Sequence, residues 1–244
     1  MFEAALWGAI GASSLLIGAL IGLLVRLPSV VIGLVLGFGA GTLISAVSFE
    51  LTEEAYALGG ADAVVIGLAA GALAYFIGDY IVKNRGASGR MSPMGSSGVS
   101  ASASTALLLG AVLDGIPESA VIGLTLLEGG SVGVAVLAAV FISNLPESIS
   151  STAGLKISGW RSARILWMWI AIALVSGLAS LAGYGLFQNA SSDVVAFVLA
   201  FAAGAILTML ADTMMPEAYE HGGKLVGVVT TLGFVVALAL HQLD

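Results

Sequence analysis

Asp114-Gly115-Ile116-Pro117-Glu118-Ser119 and Ser143-Asn144-Leu145-Pro146-Glu147-Ser148 each put a carboxylate and a proline inside an apolar run long enough to cross a bilayer. A charged side chain at that depth costs roughly 3 kcal/mol on insertion scales, and it usually faces a partner, a cavity or a transported ion. Proline has no N–H for the carbonyl four residues back, so Pro117 releases the C=O of Leu113 and Pro146 that of Ile142. Oxygen-lined gaps beside acids suit cations. Asp114 and Glu118 are four residues apart and share one helix face; Ser143 and Glu147 repeat that spacing, with Asn144 one turn from Glu147. If the two helices pack together, Asp114, Glu118, Asn144 and Glu147 converge into one cluster of carboxylates and an amide. Three negative charges in low dielectric repel, so the cluster must hold protons, a bound cation, or both in turn.

The elements that carry these motifs follow from composition. With 244 residues, 59% hydrophobic, 9% charged and a mean hydropathy of +1.07, the chain reads as an all-α polytopic membrane protein. Breaks at charged and Gly/Ser-rich stretches give eight candidate spans, about Phe2–Val25, Val30–Glu53, Ala63–Val82, Thr105–Leu127, Val132–Lys156, Ile165–Phe187, Val194–Pro216 and Leu225–His241. They make one transmembrane domain over 1–244: helices 1–3 at about 2–82, a flexible loop at about 83–104, helices 4–5 at about 105–156 and helices 6–8 at about 165–241. The first span reads as a retained helix, since Glu3 stands where a signal peptide would be basic. No cysteine is present, so any metal must be held by oxygen, nitrogen or thioether.

Charge sets the expected orientation. Arg26, Lys83, Arg85, Arg90, Lys156, Arg161, Arg164 and Lys224 all fall on one face of an eight-span arrangement, while Glu3, Asp62, Glu128, Asp193 and Asp244 fall on the other. The positive-inside rule makes the basic face and the 83–104 loop cytoplasmic and puts both termini outside, the expected residence being the cell (inner) membrane. The net charge of −7 argues against nucleic acid as a partner.

Two internal matches accompany this pattern. Val35-Leu36-Gly37-Phe38-Gly39-Ala40-Gly41 aligns with Val198-Leu199-Ala200-Phe201-Ala202-Ala203-Gly204, and the alignment resumes at Glu54-Ala55-Tyr56 with Glu217-Ala218-Tyr219 and closes at Gly59-Gly60 with Gly222-Gly223. Spans 4 and 5 match through their Pro-Glu-Ser motifs. Pairing 2 with 7 and 4 with 5 implies a 3+2+3 inverted repeat, an arrangement that transporters use to build a site at the repeat interface. Chance similarity between apolar helices is the competing account.

Secondary candidates are weaker. Glu50 and Asp212 come from the two matched helices and could flank a path at its two ends, or could be interfacial acids reaching for water. Asp79 reads as a surface ion pair with Lys83. His221, beside Glu217 and Glu220, could bind metal, whereas His241 reads as an interface residue. Met214 and Met215 offer thioethers but read as packing, and Ser45, Ser48 and Ser180 as bonds to their own helix backbones.

The chain resembles the Zrt/Irt-like (ZIP) family of divalent metal transporters, whose signature in spans 4 and 5 is His-Asn-x-Pro-Glu-Gly. Asp114 and Gly115 stand where that signature has His and Asn, with Glu118 its glutamate; Ser143 replaces the second His, while Asn144 and Glu147 keep the family residues. The resemblance extends to the glycine-rich entry to span 2 ending in Glu50, Val175-Ser176-Gly177-Leu178-Ala179 in span 6, and Asp212-Thr213-Met214-Met215-Pro216. It implies an eight-helix fold with a variable cytoplasmic loop after span 3, a divalent metal ion as substrate, and a homodimer. Ser180 falls where many bacterial members carry a glutamate that completes a second metal site. Losing both histidines shifts the donors to oxygen, which suits Mn²⁺ and Mg²⁺ better than zinc or iron.

The function expected is therefore divalent cation transport by alternating access, with zinc, iron, manganese or another divalent ion as substrate. A degenerate relative serving as a non-transporting membrane binding or regulatory protein is the alternative. An enzyme is not expected, since no nucleophile–base pair accompanies the acids.

Overall fold

The computed structural model describes residues 2–82, 84, 101–127, 132–157 and 159–242, so Lys83, Arg85, Arg90, most of the expected 83–104 loop, Glu128 and Asp244 lie outside the described residues. All regular structure among the described residues is helical: α1 Phe2–Leu24, α2 Ser29–Ala46, α3 Glu53–Val82, α4 Ala101–Thr125, α5 Val134–Ile157, α6 Ser162–Phe187, α7 Ser192–Met209, α8 Met215–Gly222 and α9 Leu225–His241. Two π-helical turns, Val47–Thr52 and Leu210–Met214, join α2 to α3 and α7 to α8. Phe2–Leu24, Ser29–Val82, Val134–Lys156, Ser162–Phe187 and Ser192–Gly222 are long and apolar enough to cross a membrane, and Leu225–His241 is a shorter apolar helix. Such segments must satisfy every backbone N–H and C=O internally, which in hydrocarbon leaves the helix as the default. The chain is an integral membrane protein.

Helix boundaries depart from the expected ones where local chemistry allows continuation. α4 starts at Ala101, earlier than Thr105, because the Ala-Ser-Ala-Ser run carries no helix breaker. The seventh stretch runs past Pro216 to Gly222, with Pro216 just after the π turn Leu210–Met214 inside a continuous helical run. Pro117 and Pro146 both lie inside their helices, as their positions in the motifs predict.

The 54-residue stretch from Ser29 is interrupted at Gly60, whose backbone (φ 69°, ψ −169°) disfavours any residue with a Cβ. Gly223 breaks the helix before α9 in nearly the same conformation (φ 61°, ψ −150°). The π turns starting at Val47 and Leu210 are separated by the same offset as these glycines, and that offset also aligns the two sequence matches.

Packing repeats the same correspondence. α2 packs on α9 and α3 on α7; α1 packs on α5 and α4 on α6; α1 and α6 pack on each other. Little hydrophobic force drives helices together in lipid, so close backbone approach at small residues does the work. A Cβ on Gly71 would overlap the carbonyl of Phe201, and one on Gly233 would overlap that of Phe38, the residue aligned with Phe201.

The two ends of the bundle differ in charge. Arg26 and Lys156 line one cavity of about 600 Å³ at the α1–α2 turn, where the Lys156 ammonium donates to the Leu23 carbonyl at 2.6 Å. At the opposite end, Glu54 shares a cavity of about 320 Å³ with Leu127, Gln188 and Ser192, and Asp193 lies beside Gly59.

Candidate functional site

α4 and α5 carry their motifs into the interior. Asp114, Glu118, Ser143 and Asn144 are all 2–3% exposed, and Glu147 is 8% exposed. The glycines of α2 make room there: a Cβ on Gly39 would lie 3.0 Å from the Cα of Ser143 and 3.0 Å from the methyl of Met214, so α2 crosses α5 next to the carbonyl of Ile142 that Pro146 leaves without its helical donor. Met214 is itself fully buried and fills this crossing.

Among the described residues no group of three or more His, Cys, Asp or Glu side chains is placed to hold a metal ion. Asp114 takes a partner from another helix, its Oδ1 accepting a 2.6 Å hydrogen bond from the hydroxyl of Tyr75 on α3. The hydroxyl of Ser143 donates to the Val140 carbonyl at 3.0 Å, a bond within its own helix. Glu118 differs from both. Its Oε2 is buried and has no hydrogen-bond partner among the described residues. An unsatisfied buried carboxylate oxygen costs more than an unsatisfied neutral group, and a proton or a cation relieves it.

Residues outside the two motifs extend the polar interior. Thr213, in the second π turn, lies 3.5 Å from the Tyr75 hydroxyl. Single-turn π segments within α-helices recur at functional sites because they re-aim side chains, and this one turns Thr213 inward while leaving Asp212 exposed. Asp212 therefore faces away from the interior and stands apart from Asp114. On α8, Glu217 is 6% exposed and accepts a 3.3 Å hydrogen bond from Ser150, one turn beyond Glu147 on α5. His221 follows Glu217 by one turn and is half-buried, its Cβ against Gly33 at the start of α2.

The remaining candidates have structural partners. Glu50, in the first π turn, sits with its Oε1 2.5 Å from Nδ1 of His241, whose ring stacks on Phe49. His241, expected as an interface residue, has Glu50 as its partner. Ser180 is fully buried and donates to the carbonyl of Ala4 at 2.8 Å, a bond between α6 and α1 and not to its own helix. Ser48 does bond its own helix, through the Ile44 carbonyl. Asp79, expected in a surface ion pair with Lys83, is 4% exposed, on the inward face of α3 that it shares with Gly71 and Tyr75; Lys83 lies outside the described residues.

Sequence reasoning passed over Tyr75 and Glu217. A phenol inside an apolar span needs a partner for its hydroxyl, and that signal was available. Glu217 was visible as the aligned counterpart of Glu54, although their burial differs.

The chain is 27% identical over 192 residues to a candidate zinc transporter of Arabidopsis thaliana. The match covers 78% of this chain and 30% of the relative, so the chain spans about a third of that protein's length. No family model matches the chain.

Proposed function

We propose that this protein carries a divalent metal cation across the membrane by alternating access. The observation that carries the proposal is Glu118, a buried carboxylate with an unsatisfied oxygen, next to the proline inside a long helix. Asp114 one turn earlier adds a second negative charge, and Glu147 and Asn144 occupy the matching place on α5. In this reading Glu118 and Glu147 are cation ligands, Asn144 supplies an amide oxygen, and Asp114 is a ligand or proton acceptor. The ZIP resemblance and the similarity to a candidate zinc transporter support a metal ion as substrate. Zinc is the substrate the relative's name favours; the oxygen donors at 114 and 143 favour manganese or another harder ion.

The same reading takes the chain as an eight-span 3+2+3 inverted repeat. The equal offsets of the π turns and of Gly60 and Gly223 support it, as does packing that is preserved when spans 1 and 6, 2 and 7, 3 and 8, and 4 and 5 are exchanged. α2 and α5, which cross at Gly39 and Ser143, would then meet their counterparts where the repeats face each other.

That no group of three or more His, Cys, Asp or Glu among the described residues is placed to hold a metal ion favours a second reading, a non-transporting membrane protein that binds a cation or regulates a partner. Uptake by vesicles holding the purified protein separates the two, because only a carrier moves the ion into the lumen.

For orientation, the basic end with Arg26 and Lys156 is taken as cytoplasmic, with both termini outside in the cell membrane. The cysteine-free chain permits a direct check. A cysteine introduced at Ser97 should resist an impermeant thiol reagent in intact cells and react once the cells are opened; labelling in intact cells would reverse the topology.

A further inference from the structure

We propose that Tyr75 is the positioning residue of the cation site, holding the Asp114 carboxylate in the orientation in which it meets the ion; this rests on the transport reading above. Tyr75 is 2% exposed, and its hydroxyl reaches from α3 to the acid on α4. The 2.6 Å separation is that of a short hydrogen bond between a hydroxyl and a carboxylate. A phenol has one proton. With that proton given to Asp114, the neighbouring Thr213 hydroxyl can only be the donor in its 3.5 Å contact with the tyrosine oxygen. The order is Thr213 to Tyr75 to Asp114, and it joins α3, the second π turn and α4.

The arrangement gives two otherwise unexplained features one cause. The π turn adds a residue to the helical turn, which brings Thr213 inward behind the tyrosine while Asp212 points out. The inward face of α3 is built from Val64, Gly67, Gly71, Tyr75, Asp79 and Val82, and Tyr75 is the member whose polar atom lies far enough from the backbone to bridge to α4. A carboxylate free to rotate must be ordered when an ion arrives; one already oriented by a buried hydrogen bond does not bear that cost. Tyr75 therefore acts on affinity through Asp114 and does not touch the ion.

The test is Mn²⁺ binding to the purified full-length protein, in wild type, Tyr75→Phe, Asp114→Ala and the double variant. Phenylalanine keeps the buried ring and removes only the hydroxyl, and Tyr80→Phe, at an exposed tyrosine on the same helix, controls for loss of a phenol. We expect Tyr75→Phe to weaken Mn²⁺ binding by about tenfold, Tyr80→Phe to match wild type, and the double variant to bind no more weakly than Asp114→Ala alone. Wild-type affinity in Tyr75→Phe overturns the inference, as does the same fold loss in both backgrounds, which would mark a general packing defect. Wild-type protein that binds neither Mn²⁺ nor Zn²⁺ overturns the transport reading itself, and this inference with it.

Discussion

Glu147→Ala should abolish divalent cation binding by the purified protein, while Glu54→Ala should leave it close to wild type. Both residues are glutamates on long apolar helices, and depth distinguishes them. Glu147 is 8% exposed, in the interior beyond the Pro146 break. Glu54 lines a cavity at the acidic end with Gln188 and Ser192. A charged ligand lost from a site shielded from water leaves an ion without compensation, and the affinity should fall by at least about 100-fold, the upper range for loss of even a supporting partner. A carboxylate beside water is replaced by solvent at small cost. Calorimetric titration with Mn²⁺ and Zn²⁺ reads both variants, and equal loss in the two would place the site away from α5.

Asp114→His combined with Ser143→His should shift preference toward zinc. Imidazole gives zinc its advantage over manganese, and carboxylate oxygen does the reverse. The structure apportions the effect: the Ser143 hydroxyl is engaged with its own helix, so position 114 should account for most of the change. The ratio of Zn²⁺ to Mn²⁺ affinity should rise by about tenfold or more, equivalent to about 1.4 kcal/mol or more. Zinc binding by the double variant should also weaken as pH falls through about 6.5, the ordinary histidine range, because protons then compete for the ligand nitrogen. Competitive binding measured across pH checks both statements. An unchanged ratio would show that neither position contacts the ion.

Helix placement was legible in the sequence because it depends on depth, and depth is written in hydropathy and in punctuation by glycine, proline and charge. Gly60 and Gly223 show this most clearly: the paired glycines that closed the internal match are the residues with positive φ that interrupt the helices. Direction around the helix axis was much less legible. The position of Asp79 near the end of its span predicts exposure, whereas packing of α3 against α7 and α4 buries it. Asp114 and Glu118 were correctly expected on one face, yet the spacing could not show that a tyrosine some forty residues earlier would claim Asp114. The partners of Ser180 and His241 were hidden for the same reason, since Ala4 and Glu50 lie far away along the chain. The π turns were not legible at all. Nothing in Val47–Thr52 or Leu210–Met214 marks an added residue, although the second of these turns carries the inward Thr213.

Cation uptake by vesicles reconstituted with the purified protein tests the central claim most directly. Zn²⁺, Mn²⁺, Fe²⁺, Co²⁺, Ni²⁺, Cd²⁺ and Mg²⁺ are offered in turn to wild type and to Glu118→Gln, a substitution that keeps the shape of the side chain and removes its charge. The account predicts saturable entry of at least one of these ions with wild type and none with Glu118→Gln. Binding without entry would contradict transport and favour the regulatory reading, and entry unaffected by Glu118→Gln would contradict the site.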